Sequence, residues 1–427
     1  MTARSEPPPR PAKRYTSRPR RPRDRARLSV LQGEPIIMLT HFAAESVRDF
    51  FRSKLPAQKT SERLTDDRRH LEAAVAFIMR SIEQGKGCAS SKGYKVGKGW
   101  LPPYRETTGY IIPTLLDVAD HLKRPDLALT AERLGEWLSG LQEPDGGFIE
   151  RDLWPDTKPV VFNTGQILHG FNALILRRGR HDLVPHARRA ADFIVSSADE
   201  TGSFVRNEHY DMVHAYNVRS AWALLTLGRL LGETKYERVA LANADWTVAQ
   251  QVDNGFFLNN VFQPGWNANT HGIAYVLQGL IEIHCISGRA SYLAAVRRAA
   301  ERIVSVYGTK RRLASEIGEN WEFLARHSCL TGCAQLAIVF FRLYGLDGDK
   351  RYLNVGLDLL DDVAATQNVM SPTKPYYGGI KGSFPIYGRY APLQYPNWAT
   401  KFFIDALLAK QRALAGPTGQ SPQLSAS

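Results

Sequence analysis

The chain has 427 residues, of which 44% are hydrophobic and 23% are charged, the composition of a globular protein with a large core. Four cysteines (Cys88, Cys285, Cys329 and Cys333) are too few for a disulfide framework and favour a reducing compartment. No apolar run approaches the roughly 18 residues that span a bilayer, and no apolar segment follows the basic N-terminus as in a signal peptide, so we expect a cytoplasmic protein.

The net charge of +13 is concentrated at the N-terminus. Residues 1–29 contain ten Lys or Arg against Glu6 and Asp24, so this segment alone carries +8. Its many prolines predict a disordered tail over 1–37, and a Pro/Gly/Ser/Gln-rich tail is predicted over 415–427, on either side of a single domain at 38–414. The basic tail is suited to contact an anionic surface. Because the remaining chain carries only +5, nucleic acid is not an expected partner.

From Asp66 onward, two kinds of helix-period run alternate along the chain. One kind has a charged face and is predicted over 66–84, 126–142, 186–198, 236–251, 292–307 and 351–367. The other kind is apolar nearly all round and begins near Thr107, Asn163, His214, Thr270, Cys329 and Asn397. Intervals of roughly 50–70 residues suit a helix pair with its loops. The sequence therefore predicts six helical hairpins that close into a ring, with the apolar helices inside.

The predicted connections differ in length. Connections from an inner to an outer helix are short, whereas the six from an outer to an inner helix are long: 85–106, 143–162, 199–213, 252–269, 308–327 and 368–396. Long loops in a compact domain are usually functional, and all six emerge at one end of the ring, so we expect a single cleft there. Four similar segments, LQEPDGGF, ADETGSF, QVDNGFF and GGIKGSF, are interpreted as tight turns with a buried Phe rather than as phosphate loops.

Hairpin number, loop asymmetry and the D-G-G-F-like turns resemble the (α/α)6-toroid, or six-hairpin, superfamily of carbohydrate-active enzymes, over about residues 66–414. The resemblance implies an all-α (α/α)6 toroid and a saccharide substrate. The turns are also similar to those of squalene-cyclase and prenyltransferase toroids, and the ring is similar to that of lanthionine-synthetase-like cyclases. The acid, zinc and Cys-His-Gly motifs of those families are missing. Cys329 and Cys333 are interpreted as core residues, and neither a metal nor another cofactor is predicted.

Glycoside hydrolysis requires two carboxyl groups on either side of the scissile bond. The long loops offer Asp145, Glu150, Asp152 and Asp253, of which Asp145 and Asp253 are also typical turn-capping residues. Two segments rich in polar and aromatic residues, RNEHYDMVHAYNVR and GENWEFLARH, are stronger candidates. Their predicted catalytic carboxylates are Glu208, Asp211, Glu319 and Glu322.

A second chemistry is β-elimination, in which Tyr or His removes a proton and cations neutralise a uronate. His214, Tyr216, Asn217 and Arg219 near the start of the third inner helix, and His271 at the start of the fourth, suit that chemistry or a sugar epimerase. A third alternative is a non-catalytic, saccharide-binding toroid in polysaccharide biosynthesis.

Aromatic rings beside cationic groups in the long loops suit the stacking of sugars that bear acidic groups. The leading prediction is thus a glycoside hydrolase that cleaves an acidic oligo- or polysaccharide. Its predicted substrate-binding residues are Trp100, Tyr104, Arg105, Asp145, Asn163, Arg206, His209, Asn217, Trp266, Asn269, Trp321, Tyr377, Lys381, Arg389, Tyr390 and Trp398.

Overall fold

The computed structural model describes residues 46–47, 49–50, 66–150 and 158–416; the predicted tail over 1–37 and residues 417–427 lie outside this range. Between 66 and 416 the chain forms twelve α-helices of 14 or more residues, as predicted. They are α1 (Asp67–Gln84), α2 (Arg105–Leu122), α3 (Pro125–Ser139), α4 (Val161–Arg178), α5 (Val184–Ser197), α6 (Val218–Leu231), α7 (Thr234–Ala249), α8 (Thr270–Ser287), α9 (Ala290–Lys310), α10 (Leu330–Asp347), α11 (Lys350–Ala364) and α12 (Asn397–Leu414).

The even-numbered helices form the inner ring. Each packs against the next, and α12 contacts α2, so the ring is closed. Their sequences are apolar nearly all round because they are covered on every side: every residue of α4 from Val161 to Ile175 is buried. The odd-numbered helices bury one stripe against this ring and turn their charged faces outward. The predicted all-α (α/α)6 toroid is therefore confirmed. Within residues 66–150 and 158–416, no helix is both long and apolar enough to cross a membrane.

The short connections leave the inner helices through a left-handed residue. Four of the five are glycine, which adopts this conformation without a steric penalty. These residues are Lys123, Gly179, Gly232, Gly288 and Gly348.

The long loops lie together at the other end and contain seven strands of two or three residues that the sequence did not predict. They are β1 (Gly93–Lys95), β2 (Gly99–Trp100), β3 (Ala268–Asn269), β4 (Glu316–Ile317), β5 (Ser328–Cys329), β6 (Ser383–Phe384) and β7 (Gln394–Pro396). All pairs are antiparallel, in the orders β2-β1-β7, β3-β4 and β5-β6. Because β1 pairs with β7, the first loop is bonded to the last.

The repeated turns bury an aromatic ring, as predicted: Phe148, Phe204 and Phe257 are each at most 2% exposed. Gly146 in the first of these turns has φ 92°, and a Cβ atom there would overlap the carbonyl of Arg189 in the next outer helix. Glycine is thus needed for close approach to the backbone, not for a ligand.

The fourth turn is displaced from its predicted position. Phe384 of the GGIKGSF segment lies half-buried in β6, and the equivalent of the other turns occurs earlier, at Gly378. Gly378 has φ 78° and lies against the backbone of Ala73 in α1. The sequence alone could not separate the two glycines, because both precede an apolar residue by two positions.

In three of these turns, a glutamine side chain links the turn to the following outer helix, and we call each such link a glutamine staple. Each side-chain amide donates to the carbonyl of the turn glycine and to a carbonyl of the neighbouring helix. The bonds run from Gln142 to Gly146 (3.0 Å) and His186 (2.9 Å), from Gln251 to Gly255 (3.0 Å) and Ala295 (2.9 Å), and from Gln367 to Gly378 (2.7 Å) and His70 (3.2 Å). The last of them joins α11 to α1 across the closure of the ring.

Candidate active site

A cavity of about 670 Å³ opens among the long loops, above the N-termini of the inner helices. Its walls are mainly aromatic, and acidic side chains lie between the rings. The residues that line it are Tyr104, Glu106, Tyr110, Glu150, Lys158, Val160, Phe162, Asn163, Glu208, His209, Tyr210, Asp211, Tyr216, Phe262, His271, Tyr275, Tyr390 and Trp398.

Glu106 lies in the first turn of α2 and is 7% exposed. The hydroxyl group of Tyr104 donates a hydrogen bond to its carboxylate. Burial raises the pKa of Glu106 to about 7, against the opposing effects of the Tyr104 hydrogen bond and of the charges on Lys92 and Arg219. This carboxyl group therefore changes its charge near neutral pH.

Glu150 comes from the second loop and caps α2 from outside. Its two oxygens accept hydrogen bonds from the backbone N–H groups of Arg105 (3.1 Å) and Glu106 (2.9 Å), which have no partner within the helix. Tyr104, the residue before α2, provides no side-chain cap. Burial raises the pKa of Glu150 to about 7, and the neighbouring Glu106 contributes in the same direction. Glu150 thus fixes the start of α2 and, with it, the position of Glu106.

Glu208 comes from the third loop and is 2% exposed. The amide nitrogen of Asn217 donates to both of its oxygens, at 2.7 and 2.6 Å. Burial holds the pKa of Glu208 well above its usual value, although Asn217 and Lys158 oppose the shift. Among the lining carboxyl groups, Glu208 is accordingly the one best suited to stay protonated at neutral pH.

The backbone around Glu208 is strained. Asn207, Tyr210 and Asp211 have φ values of 58°, 58° and 52°, in the left-handed region that non-glycine residues rarely adopt. Such conformations cost free energy and are concentrated at functional sites. They direct Glu208 inward while Tyr210, 61% exposed, forms the rim and donates to Gln263 at 2.9 Å.

The rim also carries an ion pair between Lys158 and Asp211, which joins the second loop to the third. Both side chains are at least half exposed. Among the described lining residues, Lys158 is the only Lys or Arg, so it is the cation available to an acidic group of a ligand.

Deeper in the cavity the wall is a continuous set of rings. Tyr216 contacts Phe162 (5.2 Å between centroids) and Phe262 (5.4 Å), and Tyr275 contacts His271 (4.2 Å). The Nδ1 atom of His271 is hydrogen-bonded to Gln335. Burial lowers the pKa of His271 to about 3, so its imidazole is neutral at physiological pH. Burial likewise raises the pKa of Tyr216 well above its usual value.

The cavity brings together nine of the predicted catalytic and substrate-binding residues, from the first, third and last long loops and from the starts of four inner helices. They are Tyr104, Asn163, Glu208, His209, Asp211, Tyr216, His271, Tyr390 and Trp398. Sequence reasoning did not select Glu106, since an acidic residue in a first helical turn is ordinary. Nor did it select Tyr110 and Tyr275, whose positions in the inner helices are typical of core residues. Lys158, in the second long loop, was also not selected. Asp152 lies outside the described residues.

The segment GENWEFLARH of the fifth loop does not line the cavity. Trp321 is 4% exposed and packs edge-on against Phe256, and its indole N–H donates to the carbonyl of Asn254 at 3.1 Å. Glu319 and Glu322 point to solvent, where Glu322 accepts from the backbone of Asn320 at 2.9 Å.

Three predicted polar residues support the cavity from behind. His214 stacks on Tyr216 at 4.6 Å and bridges the carbonyls of Val261 and His209, each at 3.0 Å. Asn217 holds Glu208. Asn269 caps α8 by accepting from the backbone of His271 at 2.9 Å.

Other predicted substrate-binding residues have structural contacts instead. Arg206 donates to carbonyls at the end of α5, Lys381 forms a buried ion pair with Asp49 (2.6 Å), and Asp145 accepts within its own turn from Gly147 (2.9 Å). Arg389 lies over the ring of Trp266 at 4.5 Å, outside the lining.

Arg105 is buried in the first turn of α2, and its backbone N–H is held by Glu150. Trp100 packs on Phe77 at 5.1 Å, and Tyr377 lies under the guanidinium of Arg80.

Cys329 and Cys333 are buried at the start of α10, and burial raises the pKa of both thiols. In the part of the chain that the structure describes, no three His, Cys, Asp or Glu side chains are grouped as they would be around a metal ion.

The closed ring of six helical hairpins, with the cavity among its long loops, is the architecture of an (α/α)6 toroid. No protein-family model matches the chain, and no curated protein is similar to it in sequence. Solved structures do share the fold. An unsaturated glucuronyl hydrolase specific for heparin is 15% identical, with a TM-score of 0.65 over 82% of this chain and 98% of that one.

Two further structures agree with this assignment of the fold. An unsaturated glucuronyl hydrolase from a Bacillus species, described as responsible for the degradation of glycosaminoglycan, is 14% identical, with a TM-score of 0.65 over 83% of this chain and 100% of that one. A cellobiose 2-epimerase from Bacillus thermoamylovorans is 12% identical, with a TM-score of 0.63 over 80% and 98%. At these identities the likeness establishes the fold.

Proposed function

We propose that this protein is a glycoside hydrolase that binds an oligosaccharide in the aromatic cavity and cleaves it with Glu208 and Glu106. The observation that carries the proposal is that two buried carboxyl groups, one from the first turn of α2 and one from the third loop, line one cavity and have unequal electrostatic surroundings. Enzymes assign acid and base roles to paired carboxyl groups through such differences in environment. The solved structures of this fold named above are saccharide enzymes by their descriptions, which supports the substrate class.

Glu208 is the general acid in this mechanism. Its pKa is held well above the usual value, and among the described residues no Lys or Arg donates a hydrogen bond to it, so it retains a proton for the leaving-group oxygen. As the glycosidic C–O bond breaks, that proton moves to the oxygen, and Asn217 stabilises the resulting carboxylate.

Glu106 is the basic partner. Tyr104, Lys92 and Arg219 all favour its ionised form, and its pKa of about 7 leaves a substantial fraction ionised at neutral pH. The carboxylate either removes a proton from the water that attacks the anomeric carbon or attacks that carbon itself. The anomeric configuration of the first product distinguishes these routes: inversion indicates activated water and retention a covalent intermediate.

The rings of Tyr104, Tyr216, Tyr275 and Trp398 provide faces for sugar stacking. An acidic group on the saccharide is proposed to contact Lys158 at the rim, in exchange for Asp211. We propose that longer saccharides also contact Arg389 and Trp266, because Arg389 is adjacent in sequence to Tyr390 of the cavity wall.

The test is incubation of the full chain with neutral and acidic oligosaccharides, including unsaturated glucuronyl disaccharides, while reducing ends and absorbance near 235 nm are followed together. New reducing ends without a rise in absorbance support hydrolysis. Hydrolysis that persists in both Glu208→Gln and Glu106→Gln would exclude the proposed pair.

β-Elimination remains the rival chemistry because Tyr216 and His271 both line the cavity. It predicts that absorbance rises with each new reducing end. It also predicts that Tyr216→Phe or His271→Ala abolishes turnover while Glu208→Gln does not. Binding without any product would support a non-catalytic saccharide-binding toroid instead.

A further inference from the structure

A buried glutamine holds one of the histidines that line the cavity. Gln335 belongs to α10, is 0% exposed and is not itself part of the lining. Its Oε1 atom is hydrogen-bonded to Nδ1 of His271, which lies in the first turn of α8 and is 5% exposed. The contact therefore joins two neighbouring inner helices at the wall of the cavity.

The rest of the inner-helix surroundings does not explain why this position is a glutamine. Gln335 is followed by the apolar run LAIVFF, and the side-chain Nε2 of Gln335 has no hydrogen-bond partner among the described residues. A buried N–H group without a partner costs free energy and calls for an explanation. Methionine has a similar length and would fill the space without that cost, so the bond to His271 is what accounts for the amide.

The bond determines which ring nitrogen of His271 carries the proton. An amide oxygen only accepts hydrogen bonds, so Nδ1 of His271 is the donor and bears the hydrogen. Burial lowers the pKa of His271 to about 3, so the ring is neutral at physiological pH and has a single N–H group. Nε2 of His271 is consequently unprotonated and acts only as an acceptor.

Nε2 is the ring nitrogen of His271 that remains for the cavity. No group of the described residues is hydrogen-bonded to it, and His271 is part of the lining. Aromatic rings surround the imidazole, with centroids at 4.2 Å for Tyr275, 5.6 Å for Phe262 and 5.7 Å for Tyr390. An acceptor between rings, without a donor from the protein, favours a ligand that combines an apolar face with an O–H group. A sugar ring has both.

The same surroundings favour recognition over proton transfer at His271. A general base is most effective when its pKa lies near the operating pH. Since the pKa of His271 is about 3, its imidazole is a weak base at neutral pH, but its lone pair still accepts hydrogen bonds.

We propose that His271 and Gln335 form a hydroxyl-recognition site on the cavity wall: Nε2 of His271 accepts a hydrogen bond from a hydroxyl group of the bound saccharide, and Gln335 is the positioning residue that fixes the tautomer. The inference deepens the proposed function and rests on it for the class of ligand. It adds a specificity determinant, because a site built to bond a hydroxyl group discriminates against sugars that lack it.

The first test determines the tautomer in the full chain without a ligand. Nitrogen NMR of protein with isotope-labelled histidine distinguishes protonated from unprotonated ring nitrogens, and the signals of His271 are identified by their loss in His271→Gln. We expect a protonated Nδ1 and an unprotonated Nε2. A protonated Nε2 would overturn the inference.

The second test adds a saccharide to the full chain carrying Glu208→Gln, in which the proposed proton donor is missing. The unsaturated glucuronyl disaccharide and cellobiose are the probes, one acidic and one neutral. Binding of at least one of them should change the nitrogen shift of Nε2 of His271. Absence of binding by both, or saturating binding without a change in that shift, would contradict the proposed site.

The role of Gln335 is tested with Gln335→Met, which removes the partner of Nδ1. Both tautomers should then be populated, and the affinity for the bound saccharide should fall by about three- to tenfold, as for one lost hydrogen bond. Gln278→Met is the matched control, because Gln278 is also a buried inner-helix glutamine but is bonded to Arg219. It should change neither the His271 signals nor the affinity, and equal effects of the two variants would exclude a positioning role for Gln335.

The outcomes for this site and for the proposed function are separable, and the first two tests do not require Gln335→Met to fold. If Nε2 responds to a saccharide that the unmodified chain does not hydrolyse, the proposed function fails and the hydroxyl-recognition site stands. If the unmodified chain hydrolyses a saccharide whose binding leaves the Nε2 signal unchanged, the site fails and the proposed function stands.

Discussion

The third and fifth long loops hold equivalent places in the repeat, and each contains a segment with two candidate catalytic carboxylates beside aromatic rings. In the third loop, left-handed residues at 207, 210 and 211 direct Glu208 into the cavity. In the segment 318–327 of the fifth, the left-handed residue is Trp321, whose ring packs against Phe256, while Glu319 and Glu322 lie in solvent. Equal composition thus gives opposite roles, according to which side chain the local backbone turns inward.

The comparison fails if the acidic residues of the two loops prove interchangeable in catalysis. Glu208→Gln removes the proton donor and should lower kcat by about 10²–10⁴-fold. Glu322→Gln is the matched change on the fifth loop and should leave kcat unaltered. Both are measured as release of reducing ends, and equal losses would contradict the assignment of Glu208.

Trp321 of the fifth loop and Tyr210 of the third loop should contribute differently to the free energy of unfolding. Trp321 is 4% exposed, and Trp321→Ala should lower the free energy of unfolding by about 3–5 kcal/mol because it leaves a cavity between two loops. Tyr210→Ala, at the 61% exposed rim, should cost less than about 1 kcal/mol. Urea denaturation of both variants gives the two values. A larger loss at Tyr210 would reverse the structural and functional roles given to the loops.

The pH dependence of stability sharpens the contrast between buried and exposed carboxyl groups. The pKa of Glu106 is about 7 in the folded state and near its ordinary value of 4.5 when unfolded. Between pH 4.5 and about 7, Glu106 is ionised in the unfolded chain but still largely protonated in the folded one. The contribution to stability is therefore complete below pH 4.5 and lost as pH rises through about 7, by on the order of 3 kcal/mol.

In Glu106→Gln this part of the pH dependence should disappear, so the variant gains stability relative to the unmodified chain at pH 8 but not at pH 4. Thermal unfolding at the two pH values is sufficient. Glu322→Gln serves as the control on the solvent side of the fifth loop, and a similar gain there would count against a special environment at Glu106.

The smallest effect is expected at the rim. Lys158→Gln should raise KM for an acidic oligosaccharide by about two- to fivefold, since exposed ion pairs contribute little, and should leave a neutral one unaffected. Arg326→Gln removes an exposed cation from the fifth loop and should change neither value. Equal sensitivity of the two substrates to Lys158→Gln would remove Lys158 as a contact for the acidic group.

The ring itself was predictable because its signal is local. Helical periodicity placed the inner helices at Thr270 and Asn397, where α8 and α12 begin. The end of the ring that holds the cavity followed from loop length alone. The turn with the buried Phe148 could be predicted as well, since a Gly-containing turn followed by an aromatic residue depends on a few consecutive residues.

The site was predictable only in part because it depends on contacts between distant segments. Glu106 is an ordinary first-turn acid until Glu150 of the next loop fixes its helix. Lys381 looked like a ligand for acidic sugars, but its partner Asp49 lies 332 residues earlier in the chain. Arg219 was grouped with the residues suited to β-elimination, because the sequence does not reveal that its side chain is buried and bonded to Gln166 and Gln278 of the neighbouring inner helices.

The glutamine staples have a consequence for the order of the chain. Gln367 joins α11 to α1 by the same pair of bonds that Gln142 and Gln251 make between consecutive hairpins. At the opposite end, Lys410 of α12 is 2.8 Å from Asp67 of α1, which brings those helix ends together as at the short connections elsewhere. The seam between the last and first hairpins thus has the same pair of bonds as the junctions formed by Gln142 and Gln251, so the closure of the ring resembles the contacts between hairpins that are consecutive in the chain.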